Sequence, residues 1–291
     1  MPPMQTGNPS RIAFIGGGSM ARALIAGLLR RGVAPRQISV GEPSSEARTA
    51  LQREWGIDAA SADNTAAAAG ADLVVLAVKP QDAAAALAGL HPTLLERAPV
   101  VLSIAAGLRL QDLARACPPG LAIVRAMPNR PALLGAGVTG MFAAPSVSAA
   151  QRALAELVGA AAGRAVWLRA ESELDIVTAL SGSGPAYFFL LAEHMAQAAQ
   201  DLGLEPATAA LLAAETLHGA GLLAHQDIPL AEQRAAVTSR GGTTEAALRV
   251  FQQAGFDALV ARALQAGSAR SSQLADMLSA PPDSLNSSKR P

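Results

Sequence analysis

Cysteine and lysine are the scarce residues of this 291-residue chain. Cys117 is the only cysteine. A lone thiol excludes an internal disulfide and a cysteine-built zinc site, and it fits a reducing cytoplasm. Lysine occurs only at Lys79 and Lys289. Chemistry that draws a lysine general acid/base from the long segment between them is excluded. Net charge is missing as well, with 23 basic and 23 acidic residues. A balanced surface offers no field for nucleic acid or for an anionic membrane. Met1–Ser10 lacks the basic-then-apolar order of a signal peptide. No uncharged apolar run is long enough to span a bilayer, since Tyr187–Leu191 soon meets Glu193 and His194. His91, His194, His218 and His225 show no metal-ligand spacing, so no metal is expected.

Apolar residues make up 51 % of the chain, which supplies a sizeable core. Residues 1–10 and 280–291 lack apolar periodicity and read as disordered tails. Between 11 and 168, short apolar runs alternate with helical spacing. Strands are predicted at Arg11–Ile15, Gln37–Val40, Leu73–Val78, Val100–Ile104, Ala122–Arg125 and Val166–Leu168. Continuous apolar strands separated by helices imply a parallel sheet covered on both faces. Residues 169–279 show no convincing strand. Helices are predicted from Pro185 to Asp201, from Pro206 toward His225, from Pro229, from Thr244 to Gln253 and over Phe256–Leu278. The fold class is therefore α/β: a doubly wound, Rossmann-type domain at 11–168, then an all-α domain at 169–279.

The first strand runs into Gly16-Gly17-Gly18-Ser19-Met20-Ala21. This G-x-G-x-x-A spacing suits a dinucleotide. Gly16 permits the tight turn, Gly18 lets backbone approach a pyrophosphate, and Ala21 lets helix and sheet pack closely. The helix start then offers free amides and a positive dipole end. Glu42 follows the second strand, 24 residues after Gly18. An acidic residue there favours the ribose hydroxyls of NAD, whereas Ser44 and Arg48 could take the 2′-phosphate of NADP; the residues alone leave both open. Ala77, Val78, Lys79 and Pro80 close the third predicted strand, on the edge where such sheets bind ligands. Asn64 reads as a helix cap near the same edge.

In the helical half, Ser239-Arg240-Gly241-Gly242-Thr243-Thr244 leads into the apolar helix Glu245-Ala246-Ala247-Leu248. Two glycines before a helix start gather unpaired amides around a concavity, which suits a carboxylate. A plain helix start capped by threonine would read the same way. Ser181-Gly182-Ser183-Gly184-Pro185 interrupts the first helical stretch. Leu259, Val260, Leu264, Leu274 and Leu278 give the final helix more apolar surface than a small bundle needs. That predicts a dimer built through the helical domain.

Taken together, Phe14–Ala21, Ala77–Gln81, Arg125-Ala126-Met127-Pro128-Asn129, Ser181–Tyr187 and above all Val237–Leu248 resemble pyrroline-5-carboxylate reductases. The resemblance covers nearly the whole chain apart from the tails. It implies hydride transfer from NAD(P)H to the cyclic imine 1-pyrroline-5-carboxylate, giving L-proline. It implies a cofactor held by Gly16, Gly18, Ser19, Met20, Ala21, Asn64, Ala77, Val78, Lys79, Pro80, Ala105 and Ala106, with NADP favoured and NAD allowed. It places the substrate carboxylate on Ser239, Gly242, Thr243 and Thr244, with the Thr244 hydroxyl as the catalytic group at the ring nitrogen and Glu171 lining the site. It allows rings of dimers. Three positions depart from the family pattern: Arg240 stands where proline is usual, Arg130 where threonine is usual, and Ser19 where asparagine is common. Two other readings share the fold: a reductase of a related cyclic imine, and a non-catalytic sensor of nucleotide or pyridoxal phosphate. β-Hydroxyacid dehydrogenases and ketopantoate-type reductases, which need the missing lysine, do not fit.

Overall fold

The computed structural model describes residues 10–57 and 59–279. The predicted tails, Ser10 apart, lie outside the described residues. The chain forms two compact units. One comprises the residues up to Gly182 and those from Gly267 on; the other is Ser183–Ala266.

The first unit holds eight strands: β1 Ile12–Ile15, β2 Ile38–Gly41, β3 Ala60–Ser61, β4 Leu73–Leu76, β5 Val100–Ser103, β6 Ile123–Met127, β7 Gly137–Ala143 and β8 Gly163–Trp167. They form one sheet in the order β3-β2-β1-β4-β5-β6-β7-β8. Strands β1 to β6 are parallel along that order. The chain steps outward from β1 to β3, then returns beside β1 as β4, so the order reverses between β1 and β4. A crevice opens at such a reversal, outside the carboxyl ends of the strands.

The sheet departs from the all-parallel expectation in one place. Strand β7 pairs antiparallel with β6, and β8 follows β7 in parallel. Only a short 3-10 turn, Arg130–Leu134, and the left-handed Gly135 join β6 to β7. A link that short can only bring the chain back antiparallel, because a parallel return needs a crossover of a dozen residues or more. The edge strand β8 exposes Arg164 and Val166, and Arg152 stacks over the Trp167 ring at 3.9 Å. The Trp167 indole N–H donates to Glu156 at 2.9 Å.

The helices are α1 Ser19–Arg30, α2 Ser45–Trp55, α3 Asn64–Ala68, α4 Ala83–Gly89, α5 His91–Arg97, α6 Leu110–Ala116, α7 Ala149–Gly159, α8 Glu173–Val177, α9 Gly184–Asp201, α10 Pro206–Ala224, α11 Leu230–Ala236, α12 Thr243–Gln253 and α13 Phe256–Ser279. Strand alternation splits the core of the first unit in two. Ile12, Phe14, Val75 and Leu102 face Leu24, Leu28 and Val158. Ala13, Ile15, Val74 and Leu76 face Leu87, Leu94 and Leu113. Both faces of the central strands are dry, which is why these strands read as unbroken apolar runs. The buried Cys117 belongs to the second of these clusters, and burial pushes its thiol up to about 11. His91 also packs here, its Nε2 at 2.9 Å from the Ala116 carbonyl oxygen.

The last turns of α13 stay with the first unit. Ser271 donates to Asp175 at 2.6 Å and Ser279 to Asp112 at 2.6 Å, while Arg109 pairs with Asp276 at 2.6 Å. Burial pushes the Asp112 carboxyl up. The Ser279 hydroxyl, the Arg109 amide and Arg115 together outweigh it and hold the group below the usual carboxylate range.

The second unit is all helical. Glu205 caps α10 by accepting the Thr208 amide at 2.9 Å, and Pro206 opens the helix. Gly203, at φ +104°, lets α9 end tightly. Phe188, Phe189, Leu190, Leu211, Leu222, Val250 and Leu259 are exposed. The segments Glu173–Asp201 and Pro206–Ala224 are each long and apolar enough to cross a membrane by length and composition. Neither segment is an uncharged run, since the first carries Glu173, Asp175, Glu193 and Asp201 and the second Glu215. The exposed apolar residues sit on helices whose apolar sides are left open in a single chain, as an association surface requires.

Candidate active site

The cofactor-side residues converge on the carboxyl edge of the sheet. Gly16 follows β1 at φ +100°, a conformation that favours glycine. Its amide donates to the Gly41 carbonyl at 2.8 Å. A Cβ on Gly16 would stand 2.7 Å from the Ala77 oxygen, so the loop after β1 and the loop after β4 touch backbone to backbone. Gly18 is the N-cap of α1, with open space where a Cβ would stand and no side chain capping the helix. Ser19, Met20 and Ala21 form the first turn of α1. Their amides are thus presented beside a glycine with room next to it, the arrangement a pyrophosphate needs. Residues 16–21 therefore fit a dinucleotide.

Ala77 to Pro80 follow β4, and Ala105 and Ala106 follow β5, on the same edge. The buried Ser103 takes the Ala105 amide on its hydroxyl at 3.3 Å and so shapes that turn. Asn64 differs from its sequence reading. The cap of α3 is Asp63, whose carboxylate accepts the Thr65 amide at 2.8 Å, and Asn64 is the first helical residue. Asn64 lies directly against Gly41, leaving no room for a Cβ there. The edge therefore carries Asn64 beside the end of β2.

Glu42 is tied down. Its Oε2 accepts the Gly17 amide and its Oε1 the Ser44 amide, each at 2.9 Å. Arg48 turns inward and donates from Nη1 to the carbonyls of Glu42 and Pro43 at 2.7 and 2.8 Å. Ser44 caps α2 through its hydroxyl.

The glycine-rich turn of the second unit is sharply defined. The Gly242 amide donates to the Ser239 carbonyl at 3.0 Å, and Gly241 has φ +72°. Among the described non-glycine residues only Ala98 has positive φ, so Arg240 does not. Negative φ at the second residue and positive φ at the third make this a type II turn. Gly242 is the N-cap of α12 and no side chain caps the helix, so Thr243 and Thr244 are its first residues rather than its caps. Glu245 accepts the Gly241 amide at 2.8 Å and fixes the turn from inside the helix. Free first-turn amides, the dipole end and the half-buried Thr244 remain for an anion.

Glu171 lies in the first unit. Its Oε1 accepts Arg125 at 2.7 Å and the Leu110 amide at 2.6 Å. It thus joins β6 to the start of α6. One further polar residue, Asn129, had no assigned role from sequence. Asn129 is buried; its Oδ1 accepts the Val138 amide at 2.9 Å and its Nδ2 donates to the Ser181 carbonyl at 3.1 Å. It anchors the π-helical turn Thr178–Gly182, which overlaps the start of the Ser181–Pro185 interruption; Ser183 is then the N-cap of α9. The Met127-Pro128-Asn129 run was visible, but nothing local shows that a buried amide would reach Ser181. Among the described residues no group of three or more His, Cys, Asp or Glu could hold a metal.

Comparison with known proteins shows the family. Residues 171–274 match the family described as pyrroline-5-carboxylate reductase dimerisation, and residues 11–107 match the family of NADP oxidoreductases, coenzyme F420-dependent. The chain is 46 % identical over 269 residues to a pyrroline-5-carboxylate reductase of Pseudomonas aeruginosa, covering 92 % of this chain and 98 % of that protein. It is 40 % identical to one from Haemophilus influenzae, with 90 % and 97 % covered. A pyrroline-5-carboxylate reductase structure from Coxiella burnetii superposes with a TM-score of 0.88 at 38 % identity, covering 92 % of this chain and 99 % of that one. One from Plasmodium falciparum, with NADP bound, gives 0.76 at 26 % identity and covers 92 % and 100 %. By identity over nearly the whole chain, this chain is a member of the pyrroline-5-carboxylate reductase family.

Proposed function

We propose that this protein reduces 1-pyrroline-5-carboxylate to L-proline with a reduced nicotinamide dinucleotide, the last step of proline biosynthesis. The observation that carries the reading is the type II turn Ser239–Gly242 opening an uncapped helix, in a chain of this family. The turn binds the substrate carboxylate through the amides of Gly242, Thr243 and Thr244, with Ser239 beside them. The Thr244 hydroxyl holds the ring nitrogen. Gly16, Gly18, Ser19, Met20 and Ala21 hold the pyrophosphate; Asn64, Ala77, Val78, Lys79, Pro80, Ala105 and Ala106 line the rest of the cofactor edge. When bound, the dinucleotide supplies the hydride.

A protonated cyclic imine is already electrophilic, so the side chains supply placement rather than a nucleophile. Aligning two bound reactants is worth on the order of 7–11 kcal/mol in favourable cases. By the resemblance, Glu171 lines the substrate site. The helical unit joins two copies into a dimer, and the resemblance allows rings of such dimers, in the cytoplasm.

The test is direct. Protein, 1-pyrroline-5-carboxylate and either NADH or NADPH are mixed, and loss of reduced-nicotinamide absorbance is followed with L-proline assayed as product. No oxidation with either nucleotide would sink the reading. Faster turnover of a six-membered cyclic imine would move the substrate to that ring.

A further inference from the structure

Two charged side chains stand at the end of β2, where a cofactor ribose is gripped in this type of sheet, and they are not deployed alike. The Glu42 carboxylate is fixed from both sides, by the Gly17 amide on Oε2 and the Ser44 amide on Oε1. Each carboxylate oxygen has a second lone pair, so the group can still accept two hydroxyl donors. Arg48, the cation of the same corner, has Nη1 on the backbone carbonyls of Glu42 and Pro43. That use braces the loop. The Ser44 hydroxyl is occupied as the cap of α2, accepting the Ala47 amide at 3.2 Å.

From this arrangement we infer that Glu42 selects the cofactor and that the protein prefers NADH to NADPH. The inference rests on the nicotinamide-dependent reading proposed above. A ribose with free 2′- and 3′-hydroxyls can donate to a carboxylate held ready by two amides. A 2′-phosphate brings about −2 charge to the same corner. It meets a fixed negative group, while the nearby arginine already has its Nη1 on backbone carbonyls. Because Gly17 and Ser44 anchor the carboxylate, moving it aside breaks two hydrogen bonds to fingerprint and loop.

The experiment is a fluorescence titration of the full-length protein with NADH and with NADPH, in the absence of any imine. The expected result is NADH binding at least about tenfold tighter than NADPH, the size of one modest like-charge penalty. In Glu42→Gln the charge is lost and the shape kept. Its NADH affinity should fall, its NADPH affinity should rise, and the ratio should collapse toward unity. A purely structural role for Glu42 would weaken both nucleotides together and leave the ratio unchanged, which would overturn the inference. Equal or tighter NADPH binding by the unaltered protein would overturn it as well, whatever the variant does. Tight, NADH-selective binding without turnover of pyrroline-5-carboxylate would support the inference while removing the proposed reaction. Binding of neither nucleotide would overturn both.

Discussion

Arg125 donates from Nη1 to Oε1 of Glu171 across 2.7 Å, and that same oxygen takes the Leu110 amide at 2.6 Å. One oxygen atom therefore ties β6, the entry to α6 and the segment leading into α8. The side chains are 12 % and 30 % exposed, so the pair is only partly screened. Glu171→Ala strands a largely buried guanidinium and an amide. It should cost about 2 kcal/mol of unfolding free energy, measured by urea denaturation. Glu171→Gln, which keeps an acceptor, should lose less. Equal losses for both would mean that a neutral acceptor recovers nothing and that the carboxylate charge carries the interaction.

Gly16 and Gly18 should respond differently to alanine. At Gly16 the added Cβ meets the Ala77 oxygen and the backbone sits at φ +100°. Gly16→Ala should lower stability by about 1–3 kcal/mol and abolish nucleotide binding. At Gly18 the backbone is ordinary, φ −67°, and the space is open. Gly18→Ala should fold normally yet bind nucleotide weakly, since the methyl group occupies the ligand's approach. Thermal melts paired with NADH titration separate the two. Normal binding by Gly18→Ala would remove that glycine from the cofactor site.

Thr244 is the second residue of α12 and does not cap it, which leaves the helix start open for the role proposed for its hydroxyl. Thr244→Ala should leave nucleotide affinity unchanged and lower kcat about 10- to 100-fold, because the hydrogen bond proposed to the ring nitrogen is lost. Thr244→Ser should recover most of the rate. Unchanged steady-state kinetics in the alanine variant would take Thr244 out of the mechanism.

Arg240 occupies the second position of a type II turn, a place where proline is favoured. Proline there would restrict the unfolded chain without straining the folded one. Arg240→Pro should raise stability by about 0.4–1 kcal/mol, seen as a higher melting temperature. A drop instead would show that the arginine side chain or its amide holds a contact that the turn geometry does not reveal.

The Cys117 thiol is raised from 9.0 to about 11 by burial. A raised folded pKa means that its stabilising effect is complete below pH 9 and fades as pH climbs toward 11, because the unfolded chain ionises first. Denaturation midpoints should therefore fall across that window in the native protein and fall less in Cys117→Ala. Iodoacetamide at pH 8 should leave the folded thiol unmodified and label it promptly in urea.

The strands of the first unit that lie in the dry middle of the sheet could be read directly, since both faces demand apolar residues. Gly137–Ala143 escaped notice because Gly137, Thr139 and Gly140 break the apolar run, and two-residue β3 carries no pattern at all. That β7 runs antiparallel follows from the brevity of the Arg130–Leu134 link, which shows only once both flanking strands are known. At the site, the fingerprint and the glycine turn are local and were legible. The grip of Glu42 on Gly17, 25 residues away, and of Asn129 on Ser181, 52 residues away, is tertiary and leaves no trace in the surrounding residues. Asn64 misled because Asp and Asn are both good caps and stand side by side.

The sheet ends differently on its two sides, and both ends resist extension. On one side β3 is only two residues long, too short to template another strand. On the other, β8 offers an exposed arginine and the Arg152–Trp167–Glu156 cluster rather than a flat apolar edge. Folded chains held at high concentration should therefore stay free of edge-to-edge β-aggregates.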